Sequence, residues 1–333
     1  MTTPLGIGLS GHDMTPLEVV ECCRLADELE YHSFWLSEGH GGDQFATLTA
    51  CALATERIKL GTSIISVFVR SAPTIAMAAA CVDHFSQGRL ILGLGSSHKV
   101  QVEDEHSIPY ELPVTRLREY IDVIRLLLKE GRASYSGTVL NIDSFDLWFP
   151  TFRPEIPVYA AAVFPKMLRA CGEIADGTIL TWTTLSGARR AATMVAEGAR
   201  AAGRDPIKVE IADLITTVVS TDGTPDLEGI RRATAFYAGF FPRYNRALAE
   251  NGFPDEAAAL RAAWLEGKRG PALESLVPDS MLRSLAIIGA PDECRERVQA
   301  YRDAGVTLPI IAPRASGPNA AEKAKQVIRA LAP

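Results

Sequence analysis

Short apolar segments with β character recur along this chain, and a helical pattern separates most of them from the next. Leu5–Leu9 is the first such strand. The helix after it starts with Thr15 as N-cap and Pro16 at its first position. Val19, Cys22, Cys23, Ala26 and Leu29 form its inward stripe, with Glu18, Glu21 and Glu28 facing out. Ser33–Ser37 and Ile58–Ile65 follow as strands, the latter continuously apolar at its end, as a strand covered by helices should be. An alanine-rich helix from Pro73 to about Phe85 closes at Gly88. Arg89–Leu94 comes next, then a helix with Leu117, Ile121, Ile124 and Leu128 on one face. Ile156–Ala161, Gly177–Trp182, Val209–Ser220 and Thr307–Ala312 complete the series. Pro309 is awkward in the last of these because it removes a ladder donor.

Eight strands alternating with helices close into a barrel or lie open as a doubly wound sheet. The open sheet would carry a G-x-G-x-x-G turn after its first strand. The nearest match, Gly93-Leu94-Gly95-Ser96-Ser97-His98, follows strand four and lacks the third glycine. The expected fold is therefore an α/β, (β/α)8 TIM barrel forming a single domain over residues 1–333. Two stretches interrupt the rhythm. Residues 131–155 read as a β-hairpin turning near Ser136-Gly137, followed by an aromatic loop containing Phe145, Trp148, Phe149 and Phe152. Residues 225–285 read as a helical insertion between strands 7 and 8, beside the barrel mouth. Apolar residues make up 47% of the chain, enough for one large core. A net charge of −6 without a Lys/Arg run argues against nucleic acid or a membrane as partner. No signal peptide is visible in MTTPLGIGLSG, and no run of about 18 apolar residues offers a membrane span. The six cysteines lack C-x-x-C spacing and fit reduced thiols in a cytoplasmic protein.

In a barrel, the loops leaving the carboxyl ends of the strands share one mouth. Those loops carry Ser10-Gly11-His12-Asp13, Glu38-Gly39-His40-Gly41, Ser63-Ile64, Ser96-Ser97-His98-Lys99, Val163-Phe164 and Thr181-Trp182-Thr183. Three of the six histidines, His12, His40 and His98, fall on that face as candidate proton donors. The chain has no H-x-x-x-H or comparable ligand spacing, so no metal is expected, and no G-x-S-x-G elbow. Small-residue loops beside a few polar groups suit a bound organic cofactor.

Several blocks occur in a familiar order: Phe34-Trp35-Leu36-Ser37-Glu38, Ile58–Ile64 with Arg70 after it, and Gly88–Gly95. Thr115-Arg116-Leu117-Arg118-Glu119-Tyr120, Ala160–Gly177 and Gly289-Ala290-Pro291-Asp292-Glu293-Cys294 continue it. On these residues the chain resembles the luciferase-like monooxygenase superfamily, in its branch that uses the deazaflavin coenzyme F420. The resemblance implies a hydride-transferring oxidoreductase acting on a small organic substrate, and a homodimer. It implies a cis peptide at Ser63–Ile64, forming a bulge behind the cofactor ring. Ser96 and Ser97 then approach the cofactor's phosphate-bearing tail, and Ala162, Val163 and Phe164 bind the phosphate through N–H groups at a helix start. His40 or Glu38 would handle the coupled proton, with His12, His98 and Trp182 near the substrate.

Two departures stand out. Glu38 retains the acid usual after strand two, but Gly39 occupies the position where the family shows histidine, and His40 comes one step later. Val163 and Phe164 stand where small residues normally let a phosphate approach the backbone. Two other readings stay open beside the first. One is an FMN-dependent monooxygenase fed by a separate reductase; the other is a non-catalytic cofactor-binding barrel. The alanine face of residues 76–80 is either a dimer contact or a face seated on the barrel, and Trp148 either caps core or meets a partner.

Overall fold

Polar side chains start the helices that return the chain from one strand to the next. A computed structural model of the protein describes residues 3–220 and 225–333. Strand β1 (Gly6–Leu9) leads to helix α1 (Pro16–Glu28), where Thr15 and Glu18 close a reciprocal capping box. Strand β2 (Ser33–Leu36) leads to α2 (Gln44–Ala54), capped by Asp43, which accepts from Ala46 N at 2.9 Å. Strands β3 (Lys59–Thr62) and β4 (Ile65–Ser66) precede α3 (Ala72–Phe85), capped by Ser71. Strand β5 (Leu90–Gly95), a short π turn at Gln101–Glu105 and α4 (Pro113–Glu130) come next. A hairpin of β6 (Arg132–Ser136) and β7 (Asn141–Asp146) follows, turning where the sequence indicates.

The second half repeats the pattern with β8 (Val158–Ala161), α5 (Pro165–Ile174), β9 (Gly177–Thr181), α6 (Leu185–Ala201) and β10 (Glu210–Val219). The insertion holds α7 (Glu228–Phe240), α8 (Pro242–Glu250), α9 (Pro254–Leu265), α10 (Pro271–Glu274) and α11 (Asp279–Leu285). Strand β11 (Ile287–Gly289), α12 (Pro291–Asp303), β12 (Leu308–Pro313) and α13 (Ala320–Ala330) end the chain.

Eight parallel strands close a ring in the order β1, β2, β3, β5, β8, β9, β10, β12 and back to β1. Pro309 lies inside the closing strand, opposite Asp213 of β10, while Ile310 and Ile311 pair with Gly6 and Ile7 of β1. A proline in a doubly flanked strand is thus tolerated, because its neighbours carry the ladder on both sides. Alternate residues point into the ring: Trp35, Ile91, Tyr159, Ile179, Ala212, Leu308 and Ile310 fill it, with Ile64, Ala161 and Leu214 as its half-buried layer toward the mouth. Close packing there demands glycine next to the large rings. A Cβ on Gly61 would lie 2.2 Å from the Trp35 ring, and one on Gly93 would lie 1.8 Å from the Thr62 carbonyl oxygen.

The structure changes three expectations. The strand expected at Ile58–Ile65 is divided into Lys59–Thr62 and Ile65–Ser66, with the cis peptide Ser63–Ile64, expected from the resemblance, between the two parts. Ala76, Ala79 and Ala80 are buried against the barrel, so that face of α3 is core and not a dimer contact. Trp148 is 95% exposed and caps nothing in its own protomer. Strand β11, paired to the end of β10, has no counterpart in the sequence reading.

The hairpin extension is fastened by charge. Arg153 Nε and Nη2 each donate to Asp83 at 2.9 Å, and Asp83 is 1% exposed. Removing one member of such a pair strands the other. Asp83→Ala should lower the unfolding free energy by about 3–5 kcal/mol in urea titration; a loss below about 1 kcal/mol would mean the pair is dispensable.

Candidate functional site

The mouth is assembled from loops that meet only because the ring closes. After β1, the Ser10–Gly11 turn lies against Gly41 of the loop after β2, where an added Cβ would sit 2.6 Å from the Ser10 carbonyl oxygen. The floor is apolar: Ile64, Ala161 and Leu214 form its surface. Gly95 keeps it smooth, since a Cβ there would meet Ile64 at 2.8 Å. Hydroxyls rim this floor, with Ser37 and Ser63 3.3 Å apart and Ser96 and Ser97 half-buried after β5.

Glu38 is held as a strut. Its Oε1 accepts from Arg70 Nε at 3.1 Å and Nη2 at 2.7 Å, and its Oε2 accepts from Ser66 N at 3.4 Å. Arg70 reaches on to Asp43 at 2.6 Å, joining the start of α2 to the break between β3 and α3. A carboxylate so engaged is tied to the Arg70 guanidinium and to the backbone of Ser66, two residues beyond Ile64. Arg70, quoted in the sequence only as part of a block, is the partner that holds Glu38.

The three histidines leave the same rim but do not gather. His12 is 68% exposed and paired with Asp13 at 3.0 Å, which also accepts from Gly317 N. His40 is 79% exposed and its Nε2 lies 3.1 Å from Glu105 in the π turn after β5. His98 alone is enclosed, its ring 4.6 Å from Phe241 and 4.7 Å from Tyr244. Its Nδ1 is buried and has no hydrogen-bond partner among the described residues. Burial, with the Arg243 cation second, lowers its pKa from 6.5 to about 4. At neutral pH His98 is therefore an uncharged imidazole.

Trp182, at a positive φ of 57°, stacks 5.2 Å from Tyr244 and 5.4 Å from Tyr237. His98 and Trp182 thus share one backing helix, α8. These insertion aromatics were missed from sequence, although Tyr237, Phe241 and Tyr244 recur at helical spacing. The insertion is tied down by Arg243, which donates to Tyr110 Oη at 2.6 Å while Tyr110 stacks on Phe68 at 4.5 Å.

The turn after β8 runs through Ala162, Val163 and Phe164 into α5, which begins with no side-chain cap. Ala162 N is used by Ile179 O, while the N–H groups of Val163 and Phe164 have no hydrogen-bond partner among the described residues. The Phe164 ring is drawn aside under the Arg246 guanidinium, 4.5 Å away. The floor, hydroxyl rim and turn accordingly fit a planar ring with an anionic tail. Among the described residues, no three His, Cys, Asp or Glu side chains gather as a metal site.

Outside the ring, beneath α12, Asp213 accepts a hydrogen bond from Thr183, and burial pushes its carboxyl up to about 7. Its Oδ1 has no partner among the described residues. His98 and Asp213 tilt stability in opposite directions. His98 resists protonation in the folded state, so its contribution is whole above pH 6.5 and is lost as pH falls toward 4. Asp213 favours the protonated form, so its contribution is present below 3.8 and is lost as pH rises through about 7. Urea titrations across this range should give His98→Gln a shallower acid loss than wild type, and Asp213→Asn a shallower loss on the way up. Identical profiles for wild type and His98→Gln would refute the neutral, buried ring.

Comparison with known proteins agrees with this geometry. A 5,10-methylenetetrahydromethanopterin reductase of Methanolobus tindarius is 30% identical over 94% of each chain. The structure of a coenzyme F420 dependent tetrahydromethanopterin reductase from Methanopyrus kandleri superposes with a TM-score of 0.87, at 24% identity over 99% of both chains. A monooxygenase from Streptomyces bottropensis shares the fold at a TM-score of 0.73 and 23% identity, over 99% of this chain and 97% of that one. The family model described as luciferase-like monooxygenase matches residues 2–308, so the chain belongs to that family.

Proposed function

We propose that this protein is a coenzyme F420-dependent oxidoreductase that moves a hydride between that cofactor and a small organic substrate. The observation that carries the reading is the floor of Ile64, Ala161 and Leu214, bounded by the cis Ser63–Ile64 peptide and by Ser96 and Ser97. Such an apolar surface would seat one face of a planar ring. When bound, coenzyme F420 supplies the ring carbon that carries the hydride. The chain would do the rest: Ile64 would back the ring, Ser63, Ser96 and Ser97 would offer hydroxyls and backbone at its edge, and the Ala162–Phe164 turn would receive the tail. Trp182, Tyr237 and Tyr244, packed on one another, would exclude water and orient the substrate. With Glu38 committed to Arg70, His40 is the group open to exchange a proton, oriented by Glu105. His98, enclosed by Phe241 and Tyr244, would stand behind these aromatics as an uncharged ring.

A fold shared with oxygen-using relatives keeps FMN, fed by a separate reductase, as the second reading. Titration separates them. Coenzyme F420 at about 100 times its Kd should raise the unfolding free energy by about 2.7 kcal/mol, with FMN giving no comparable shift. In the same protein, His40→Ala should cut F420-linked turnover by about 10²-fold while changing cofactor Kd less than about twofold. Stabilisation by FMN alone would overturn the assignment; stabilisation by neither would favour a barrel without this catalysis.

A homodimer through the outer face of α3 and the hairpin loop goes with this reading. Met77 and Phe85 face outward there, and the loop residue Phe152 packs beside His84 of α3 at 5.8 Å between rings. Trp148, in the same loop, is the most exposed large apolar side chain described. Apolar surface of this kind marks an association site. Phe85→Lys combined with Trp148→Lys should convert a dimer to a monomer in light scattering; an unchanged mass would move the contact elsewhere. Among the described residues, no helix is long and apolar enough to cross a membrane. The buried free thiols of Cys22, Cys23, Cys51, Cys171 and Cys294 support a cytoplasmic setting.

A further inference from the structure

The turn that would receive the cofactor's phosphate is the place where this chain departs most from a small-residue pattern. Val163 and Phe164 put side chains where a backbone cradle would be bare. A phosphate held mainly by backbone N–H groups needs close approach, and two added side chains restrict it. Charge brought in by a neighbouring side chain compensates at longer reach.

Such a charge is present. Arg246 extends from α8, and its guanidinium lies 4.5 Å above the Phe164 ring. Its Nε donates to Glu250 Oε1 at 2.7 Å, one turn along the same helix. No other hydrogen bond engages the guanidinium among the described residues, so both Nη groups remain available. Phe164 serves as its seat: the ring that replaces a small residue is also what fixes the cation beside the turn. Arg190 of α6 has a different task. It donates to Glu250 O and to Asn251 Oδ1, each at 3.1 Å, and so pins the carboxyl end of α8 against α6. Asn251 Nδ2 donates in turn to Trp182 O at 3.2 Å. Between α5, α6 and α8 lies a space of about 60 Å³ lined by Ala162, Val163, Thr183, Arg190 and Glu250 among others, with Arg246 and Phe164 outside its lining.

We propose that this protein grips the phosphate of coenzyme F420 with the Arg246 guanidinium, seated on Phe164 and delivered by the insertion helix α8, in place of a bare small-residue turn. The inference rests on the F420 reading above and adds to it a specific cationic contact. Arg190 acts as a positioning residue, holding α8 in register. The grip is ionic and lies at the surface, so it weakens with salt.

Equilibrium binding to the full chain tests this with two probes: coenzyme F420, and its ring–ribityl fragment lacking the phosphate. Wild type should bind the intact cofactor at least tenfold more tightly than the fragment. Arg246→Met, which keeps the apolar stem over Phe164, should weaken F420 binding about tenfold and leave the fragment within about twofold. Arg246→Lys should recover part of the loss, and the preference for F420 over the fragment should shrink between 50 and 300 mM salt, about fivefold in wild type and far less in Arg246→Met. Phe164→Leu, which retains the charge but removes its seat, should fall between wild type and Arg246→Met. If Arg246→Met binds F420 as wild type does, or loses both probes equally, the grip is refuted while the F420 reading stands. If wild type binds neither probe, both fall together.

Discussion

Everything at the mouth depends on closing a parallel ring around a fixed interior volume. The ring holds large side chains such as Trp35 and Tyr159 only because glycines stand beside them, and Gly61 and Gly93 have no room for a methyl group. Once that volume is filled, the strand ends are set relative to one another, and so are the loops that leave them. The floor made by Ile64, Ala161 and Leu214 is the last layer of this packing, half-buried on the side of the mouth. A reactive surface that is also the end of a core is rigid without needing further support.

Charge then decides which polar groups remain free to act. Arg70 takes up Glu38, Asp83 and Arg153 neutralise each other, and Asp13 is divided between His12 and Gly317. What is left unengaged is more informative. His98 has a buried nitrogen without a partner, and Arg246 offers two amino groups beside the turn after β8. His98 lies against the insertion and Arg246 belongs to it, so the insertion and the barrel loops meet at the same mouth.

Strand and helix order were legible because each element carries its own signal: apolar runs of strand length, caps at Thr15 and a hairpin turn at Ser136-Gly137. The rim positions of His12, His40 and His98 followed from that order alone. Their surroundings did not. Whether a loop histidine is enclosed depends on what lies over it, and here that is Phe241 and Tyr244, remote in sequence from His98. Glu38 looked free because Arg70 sits in another loop and meets it only after closure. The alanine face of α3 was ambiguous for a similar reason: small residues suit packing on a barrel and packing on a second copy equally well. Pro309 looked like a strand breaker because pattern reading weighs one residue at a time, whereas the ladder is shared along β12.

Helix α8 touches the enclosure of His98 through Tyr244, the face of Trp182 through the same ring, and the turn after β8 through Arg246. With α8 serving the coenzyme as proposed, descendants of this chain inherit its aromatic cover and its hold on the tail as one trait. A lineage that remodels this helix to admit a bulkier guest alters, in the same stroke, how firmly the coenzyme is kept.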